Sequence, residues 1–264
     1  MLFRSIRMVT IDKNVCVGCG KCAADCVSMS LFIKEGKAEY TGDCIHCGHC
    51  VAICPVNAVS IPEYDMKDVE ELKPDHNIEI NSLLSIIKSR RSIRNYVDKK
   101  IEREKLDHIV QAGRYTATAV NRQECTFILV QEQIDALKKM IWDDVEKAVS
   151  NHIKEAKPLK SLVALYRDQG IDYFFRNAPA VMYIAAENTW DAGLAAQNME
   201  LAAVSQGLGV LYDGFLLGAT KLSSEAQKFM GVDGKPLAVC MLMGYPDVKY
   251  VRTAPRKNAD VTWL

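Results

Sequence analysis

The sequence predicts an α+β protein of two domains, a small cysteine-rich domain followed by a larger one of mixed helices and strands. Eight of the ten cysteines lie between Cys16 and Cys54, which marks that region as a separate module. The rest of the chain shows helical and strand patterns, with too few strands for a doubly wound parallel sheet. With 264 residues, 49% of them hydrophobic and 25% charged, the chain is long enough for one large domain or two smaller ones.

Charge and hydropathy argue against several classes of partner. Thirty-three basic residues balance 33 acidic ones, so no general positive field exists to hold a nucleic-acid backbone. The longest apolar stretch, 178–186, is far shorter than the roughly 18 residues that a membrane-spanning helix needs. Arg4, Arg7 and Asp12 interrupt the apolar residues near the start, unlike the continuous core of a secretory signal. We therefore expect a cytoplasmic protein that binds neither nucleic acid nor membrane.

The cysteines of the small domain form two copies of one pattern, CxxCxxCxxxC. Each copy places three thiolates at two-residue spacing in a loop that contains glycine. Such a loop can wrap three corners of an iron-sulfur cubane, while the fourth corner must come from elsewhere. The eight candidate ligands are Cys16, Cys19, Cys22, Cys26, Cys44, Cys47, Cys50 and Cys54.

This repeat resembles the bacterial ferredoxin arrangement of two 4Fe-4S clusters, in which the fourth cysteine of each run ligates the other cluster. The resemblance implies that Cys54 completes the first cluster and Cys26 completes the second. The alternative from spacing is a pair of structural zinc sites with four thiolates each. Zinc leaves the third and fourth cysteines and the following Pro55 unexplained, so clusters are preferred. His46 and His49 are expected to be loop residues rather than ligands.

The cysteine-rich module ends where cysteine gives way to charge and proline. Pro62 and Pro74 punctuate this stretch, and we place the linker near residues 62–77. The predicted domains are 1–75, the iron-sulfur domain with its linker, and 76–264, about 190 residues that suit one domain of ordinary size.

The larger domain contains recognisable helices and strands. Apolar residues at helical spacing predict helices over 80–88 and 105–113, and the run 131–177 is also expected to be helical, with its aromatic residues in the core. The stretch 191–206, small and apolar nearly all round, predicts a helix buried within a subunit or between two. Buried strands are predicted at 126–130, 180–186 and 237–243.

A basic motif follows the first helix of the larger domain. The segment 90–96 reads RRSIRNY and resembles the RRSxRxF signature of the nitroreductase family of FMN proteins. Residues 118–123, leading into Phe127, resemble that family's SSxNxQPWxF stretch, although Glu124 and Cys125 replace the proline and the tryptophan. Together with the cysteine repeat, the whole chain resembles ferredoxin-fused nitroreductases.

The chemistry of the basic motif supports the same interpretation. Three arginines and a serine within five residues suit a phosphate, which carries two negative charges and three acceptor oxygens. The resemblance implies that Arg94 lies near the pyrimidine edge of the flavin, where a positive charge stabilises the anionic reduced form. For the motif alone, a solvated charge run at a helix C-terminus is an equal alternative.

The resemblance also implies a homodimer that binds FMN at the subunit interface, with Thr118 and Asn121 contributed by the partner chain. No side chain is expected to be the chemical catalyst, because flavin N5 performs the transfer. The cofactor-binding residues that the resemblance implies are Arg90, Arg91, Ser92, Arg94, Thr118, Asn121, Gln123, Asp213, Gly214 and Arg256.

Joining iron-sulfur clusters to FMN makes a converter between single electrons and electron pairs. We expect a flavin oxidoreductase that passes electrons from two 4Fe-4S clusters to FMN and then to an electron-poor small molecule, such as a nitroaromatic, a quinone or an activated alkene. The donor stays open between NADH, NADPH and a ferredoxin or other low-potential protein. The alternative is an electron carrier or redox sensor whose flavin turns over no small molecule.

Overall fold

The computed structural model describes residues 9–73, 77–232 and 234–264. The chain divides into two compact units. The first comprises Met1–Asn77 with Thr118–Arg122, and the second comprises Ile78–Ala117 with Gln123–Leu264. The predicted boundary at 75/76 falls outside the described residues, as do Arg4 and Arg7 near the start of the chain.

Short elements make up the first unit: β1 Thr10–Ile11, α1 Lys21–Ala24, β2 Leu31–Lys34, β3 Lys37–Tyr40, α2 His49–Ala52 and β4 Val59–Ser60. Strand β1 pairs antiparallel with β4, and β2 pairs antiparallel with β3. Glu35 and Gly36 close the β2–β3 hairpin with positive φ angles of 49° and 72°. Two consecutive residues of positive φ match the right-handed twist of the strands that they join.

The core of the first unit is small and includes cysteine itself. Leu31 and Ile61 pack in one buried cluster with Cys16, Cys22 and Cys50. A unit of this size has a core of marginal stability, so contacts other than apolar packing matter to its folding.

Within the described residues, the second unit contains a four-stranded antiparallel sheet flanked by helices. The strands are β5 Thr126–Val130, β6 Ala180–Ala185, β7 Gly209–Tyr212 and β8 Leu237–Gly244. The helices are α3 Ile80–Ser89, α4 Arg103–Arg114, α5 Ile134–Ser150, α6 Lys160–Gln169, α7 Thr189–Ser205, α8 Gly214–Leu222 and α9 Ser224–Phe229. The strand order across the sheet is β5, β6, β8, β7.

Strand β6 lies inside the sheet and is buried on both faces. Its odd-numbered residues pack in a cluster with Leu137 of α5 and Leu216 of α8. Its even-numbered residues pack in a second cluster with Ile109 of α4 and Met199 of α7. Because side chains alternate along a strand, helices on both faces require an apolar residue at every position. The uninterrupted apolar run of β6 follows from this arrangement.

The α+β class is confirmed, and the ends of the six individually predicted helices and strands are shifted by two residues at most. Burial of helix α7 within the subunit is incomplete, because Trp190, just before the predicted range, is 81% exposed and Leu194 is 53% exposed. Burial between two subunits, the other arrangement that the sequence allows, stays a prediction. Across the described ranges, no helix combines the length and the apolar character that crossing a bilayer requires.

Candidate functional site

Two cavities in the first unit are each lined by four cysteines. One has Cys16, Cys19, Cys22 and Cys54 in its wall. The other has Cys26, Cys44, Cys47 and Cys50. Each set combines three cysteines of one run with the last cysteine of the other, because α1 packs against α2 and brings the two runs together. Three thiolates from one loop and a fourth from elsewhere are the donor set of a four-iron cubane, so these residues fit that group.

Each cysteine run turns sharply at a glycine before its helix. Gly20 precedes α1 and Gly48 precedes α2, both with φ of 77°. This left-handed conformation is readily adopted by glycine, and it reverses the backbone between the second and third cysteines. Met29 and Asn57, which follow the fourth cysteine of each run, also share a positive φ, 51° and 53°. The two halves of the unit therefore follow the same backbone path.

Backbone N–H groups donate to cysteine sulfurs in both halves. These bonds stabilise negative charge on sulfur, and the one from Ala38 is the largest cause that lowers the pKa of Cys16. The bonds run from Ala38 N to Cys16 Sγ (3.4 Å), Ser30 N to Cys26 Sγ (3.4 Å), His46 N to Cys44 Sγ (3.3 Å) and Ala58 N to Cys54 Sγ (3.2 Å).

At the third cysteine of each run, burial shifts the pKa upward, opposite to the effect of the N–H bonds. It raises the pKa of Cys22, and it raises the pKa of Cys50 to about 11. A buried thiolate is stable only when a positive partner compensates its charge. The iron of a bound cluster would supply that compensation, and binding it here would release protons.

The loop between the first two cysteines of the second run is held by side chains. Asn121 Nδ2 donates to the carbonyl oxygens of Ile45, at 3.1 Å, and His46, at 2.7 Å. The Tyr64 hydroxyl donates to the same His46 oxygen at 3.1 Å. Asn121, which the family resemblance assigns to the flavin, is thus placed on a cysteine loop within the first unit.

The two histidines of the second run have protein partners. His46 is buried, and its Nδ1 lies 3.0 Å from Glu63 Oε2. His49 is exposed, and its Nδ1 lies 3.0 Å from Asp25 Oδ2. These contacts suit residues that support the loop.

In the second unit, the motif 90–96 runs beside β7. Ser92 forms a parallel bridge with Val210, and the N–H of Ile93 donates to Val210 O at 3.0 Å. A β-carbon on Gly209 would lie 2.3 Å from a side-chain carbon of Ile93. Glycine at this position therefore allows the close approach of motif and strand.

The three arginines of the motif have different environments. Arg90 Nε donates to Glu200 Oε1 of α7 at 2.7 Å, and the Glu200 side chain is almost fully buried. Arg91 Nη1 donates to the Lys88 carbonyl at 3.0 Å. Arg94 is exposed and borders a cavity. Glu200 carried no sequence signal, since an acidic residue in an alanine-rich helix belongs to no motif.

The cavity beside Arg94 lies at the N-terminal end of α8 and has a volume of about 550 Å³. This is within the usual range for small-molecule sites. Its wall joins residues of the basic motif, of the loop before β6 and of α8. Among them are Arg94, Tyr173, Arg176, Tyr212, Gly214 and Phe215.

Asp213, also in this wall, has structural partners. Its side chain accepts a hydrogen bond from Leu216 N at 2.8 Å and caps α8, while its own N–H donates to Cys240 O at 2.9 Å. Burial raises the pKa of the Asp213 carboxyl. Gly214 is the first residue of α8, where backbone N–H groups have no acceptor within the helix. Of Asp213 and Gly214, Gly214 is therefore the residue whose N–H suits a ligand.

The remaining predicted cofactor residues lie outside this cavity wall. Thr118 and Asn121 belong to the first unit, and Gln123 begins a segment of the second. Arg256 is exposed in the C-terminal segment, where its Nη1 donates to the Pro255 carbonyl at 3.0 Å. Three of the ten predicted cofactor-binding residues line the cavity: Arg94, Asp213 and Gly214.

The structure adds residues of the helical region to the cavity. Phe174 and Phe175 are buried in the core, as predicted, but Tyr173 borders the cavity. Arg176, which follows them in the loop before β6, lies against Tyr173. A lone arginine outside any motif gives no sequence signal, so only the fold reveals its position.

Comparison with protein families gives two matches. The nitroreductase family model matches residues 87–245, and a 4Fe-4S dicluster domain model matches residues 8–72. A curated relative from Methanothermobacter thermautotrophicus, described as a putative NADH dehydrogenase/NAD(P)H nitroreductase, is 28% identical over 149 residues. This alignment covers 53% of the present chain and 64% of the relative, less than two thirds of that protein's length.

Solved structures share the fold of the second unit. A nitroreductase with bound FMN from Bacteroides fragilis is 22% identical, with a TM-score of 0.58 over 70% of this chain and 99% of that one. A nitroreductase with bound FMN from Desulfitobacterium hafniense is 20% identical, with a TM-score of 0.57 over 70% of this chain and 100% of that one. Since the nitroreductase model spans more than half of the chain and the dicluster model spans both cysteine runs, this chain belongs to the nitroreductase family and carries a 4Fe-4S dicluster domain ahead of its nitroreductase domain.

Proposed function

We propose that this chain is an FMN-dependent oxidoreductase that passes electrons from two 4Fe-4S clusters to FMN and then to an electron-poor small molecule, such as a nitroaromatic, a quinone or an activated alkene. The observation that carries the proposal is the pair of four-cysteine cavities in a chain that also has the nitroreductase fold and a small-molecule cavity. Such a chain has sites for single-electron carriers and a site for pair transfer.

In this proposal, each four-cysteine cavity holds one cluster. The N–H bonds to sulfur and the burial of the third cysteine in each run tune the reduction potential, because both change the stability of charge on the cluster. When bound, the clusters supply single electrons, and FMN accepts one or two and can release a pair as hydride.

The basic motif is proposed to bind the phosphate of FMN. Glu200 holds the Arg90 guanidinium through Nε, which orients the group and leaves its Nη atoms for phosphate oxygens. Ser92, held beside β7, offers a hydroxyl to the same phosphate. Arg94 and the N–H of Gly214, which border the cavity, would contact the flavin ring.

The chain's own role in acceptor reduction is to orient the reactants and exclude water. Tyr173 and Phe215 border the cavity, and their rings meet edge to face with centroids 6.0 Å apart. An apolar wall of this kind keeps water from the reacting atoms. No side chain has to form a bond with the acceptor, because the transfer chemistry belongs to the cofactor.

We further propose a homodimer. Large apolar side chains are exposed on two helices that contact each other, Ile80 and Ile87 on α3 and Trp190 and Leu194 on α7. Exposed apolar groups of this size mark an interaction surface. A second copy of the chain is the proposed occupant, and sedimentation of the purified protein at several concentrations tests it.

The proposed donor is reduced ferredoxin or another low-potential protein that delivers electrons to the clusters. NAD(P)H, which appears in the description of the relative, is the competing donor. Anaerobic mixing of the purified protein with NADH, NADPH or reduced ferredoxin, followed by bleaching of the flavin absorbance, separates them. We expect rapid bleaching by reduced ferredoxin and recovery of the absorbance when a nitroaromatic is added.

A matched variant tests the route through the clusters. Cys19→Ala combined with Cys47→Ala removes one ligand of each proposed cluster and leaves the second unit unchanged. Flavin reduction by ferredoxin should be lost, while reduction by dithionite should persist. Equal ferredoxin rates with and without clusters, or zinc in place of iron, would contradict the route. Fully reduced protein that turns over no acceptor would instead indicate an electron carrier.

A further inference from the structure

Arg176 holds a largely buried positive charge at the cavity of the second unit. Its side chain is 15% exposed, and its Nε is buried without a hydrogen-bond partner among the described residues. Its backbone is left-handed, with φ of 50°. A residue other than glycine keeps this conformation only where the surrounding structure holds it. The fold therefore fixes this guanidinium in place.

The groups that face Arg176 compensate its charge only in part. Its Nε lies 4.0 Å from Asp213 Oδ2, beyond hydrogen-bond distance. The other oxygen of Asp213 is engaged by Leu216 N in the cap of α8. The guanidinium carbon lies 3.7 Å from the centroid of the Tyr173 ring, whose face attracts cations. A buried charge with incomplete pairing is costly, so the site favours a further anionic partner.

The cavity wall supplies a second cation and a helix N-terminus. Arg94 borders the same cavity from the basic motif, and α8 begins at Gly214 in the same wall. The N-terminal end of a helix carries a partial positive charge. Glu155 and Asp213 are the acidic residues of this wall, and Asp213 is already engaged by α8. Beside Arg176, the cavity therefore offers the α8 N-terminus and a second arginine to a ligand that carries negative charge.

We propose that Arg176 stabilises the negative charge that bound flavin takes up on its pyrimidine ring, acting as a second cation beside Arg94. This inference rests on the proposed FMN site. A guanidinium is planar and presents paired donors, which match the adjacent N1 and C2 carbonyl acceptors of that ring. Arg176 is a positioning and charge-stabilising residue rather than a group that forms bonds.

Sulfite probes this charge without turnover. Its sulfur adds to flavin N5, so an S–N5 bond forms while the N5–C4a π electrons move toward N1 and the C2 carbonyl. No further oxidant or reductant takes part, and the adduct bears its negative charge where the proposal places the guanidinium. Bleaching of the flavin absorbance during a sulfite titration gives the dissociation constant of the adduct.

The test compares FMN-loaded, full-length variants. Arg176→Gln removes the charge, and Arg176→Met does so while keeping an unbranched stem, so that either neutral variant carries the test if the other fails to fold. Both should bind sulfite about tenfold or more weakly, because a charge a few ångströms away is lost from a partly screened site. Arg176→Lys should restore most of the affinity. Arg167→Gln is the matched control, since Arg167 is half-exposed and pairs with Glu146 at 3.3 Å.

Unchanged sulfite affinity in a neutral variant that retains FMN overturns the proposal. So does a rise in KM for 4-nitrobenzoate but not for nitrobenzene, with sulfite affinity unchanged, because Arg176 then binds the carboxylate of the acceptor. Failure of the wild-type protein to bind FMN contradicts the proposed function itself, which keeps the two failures distinguishable.

Discussion

The two cysteine runs follow the same backbone path but differ at one corner. Gly18 in the first run has φ of 65°, and His46, the equivalent residue of the second, has φ of 54°. A β-carbon on Gly18 would lie 1.9 Å from the carbonyl oxygen of Gly36, so the hairpin turn excludes any other residue. His46 instead buries its ring near Tyr64, with ring centroids 6.0 Å apart.

The difference shows that one loop geometry is supported in two ways. The first run is supported mainly by the backbone of the β2–β3 hairpin, because Gly36 lies against Gly18 and Ala38 N donates to Cys16 Sγ. One side chain adds to this support, since Lys37 Nζ donates to Cys16 O at 2.6 Å. The second run is supported by side chains, among them Asn121 and Tyr64. Backbone packing leaves little room for substitution, whereas side-chain support can be changed one residue at a time. Single substitutions can therefore change the stability of the second loop more gradually than that of the first.

The largest effect is expected at the cysteines that exchange between the runs. Cys26→Ser should remove the cluster of the second run, and Cys54→Ser should remove that of the first, each lowering iron from about eight to about four per chain. The reason is that each residue lines the cavity of the opposite run. Iron and sulfide assays with electron paramagnetic resonance identify the cluster that is lost. Cys125→Ser is the control, and loss of the same cluster in both variants would contradict the assignment.

A smaller effect is expected at the corner residues. Gly18→Ala should destabilise the first unit by about 3 kcal/mol or more, because its β-carbon meets a backbone oxygen that can move only with the hairpin. His46→Ala should cost about 1–2 kcal/mol, from lost ring packing and the lost Glu63 contact. Anaerobic denaturant titrations, followed by cluster absorbance, measure both.

Gly36→Ala separates the clash from the general cost of alanine in a left-handed turn. A β-carbon on Gly36 has no neighbour within 4 Å, and its φ is 72°. Gly36→Ala should therefore destabilise the first unit clearly less than Gly18→Ala does. Equal effects in the two glycine variants would show that the close approach of Gly18 and Gly36 is not the cause.

The smallest effect is expected at Asn121. Asn121→Ala removes the donors to Ile45 O and His46 O and should destabilise the second loop by about 1 kcal/mol, which speeds loss of the second cluster alone. Arg122→Ala, an exposed neighbour, is the control. A weaker FMN affinity with unchanged cluster retention would instead assign Asn121 to the flavin.

Much of the fold could be predicted because its signals are local. The apolar run of β6 indicates a buried strand, since neighbouring residues alone reveal burial on both faces. Helix α7 shows the limit of such patterns. Its small apolar residues predicted burial within a subunit or between two, but composition cannot tell which residues meet the core of the subunit, and Leu194 is exposed in the single chain.

The candidate site also combines residues that the sequence predicts with residues that only the fold brings together. The sequence by itself determined the thiolate chemistry of the first unit and the basic motif of the second, because both depend on the spacing of nearby residues. Only the tertiary structure decided that Glu200 holds Arg90, that Asn121 supports a cysteine loop and that Arg176 borders the cavity. Each of these contacts joins residues far apart in the chain, and its strength depends on burial that exists only after the chain has folded.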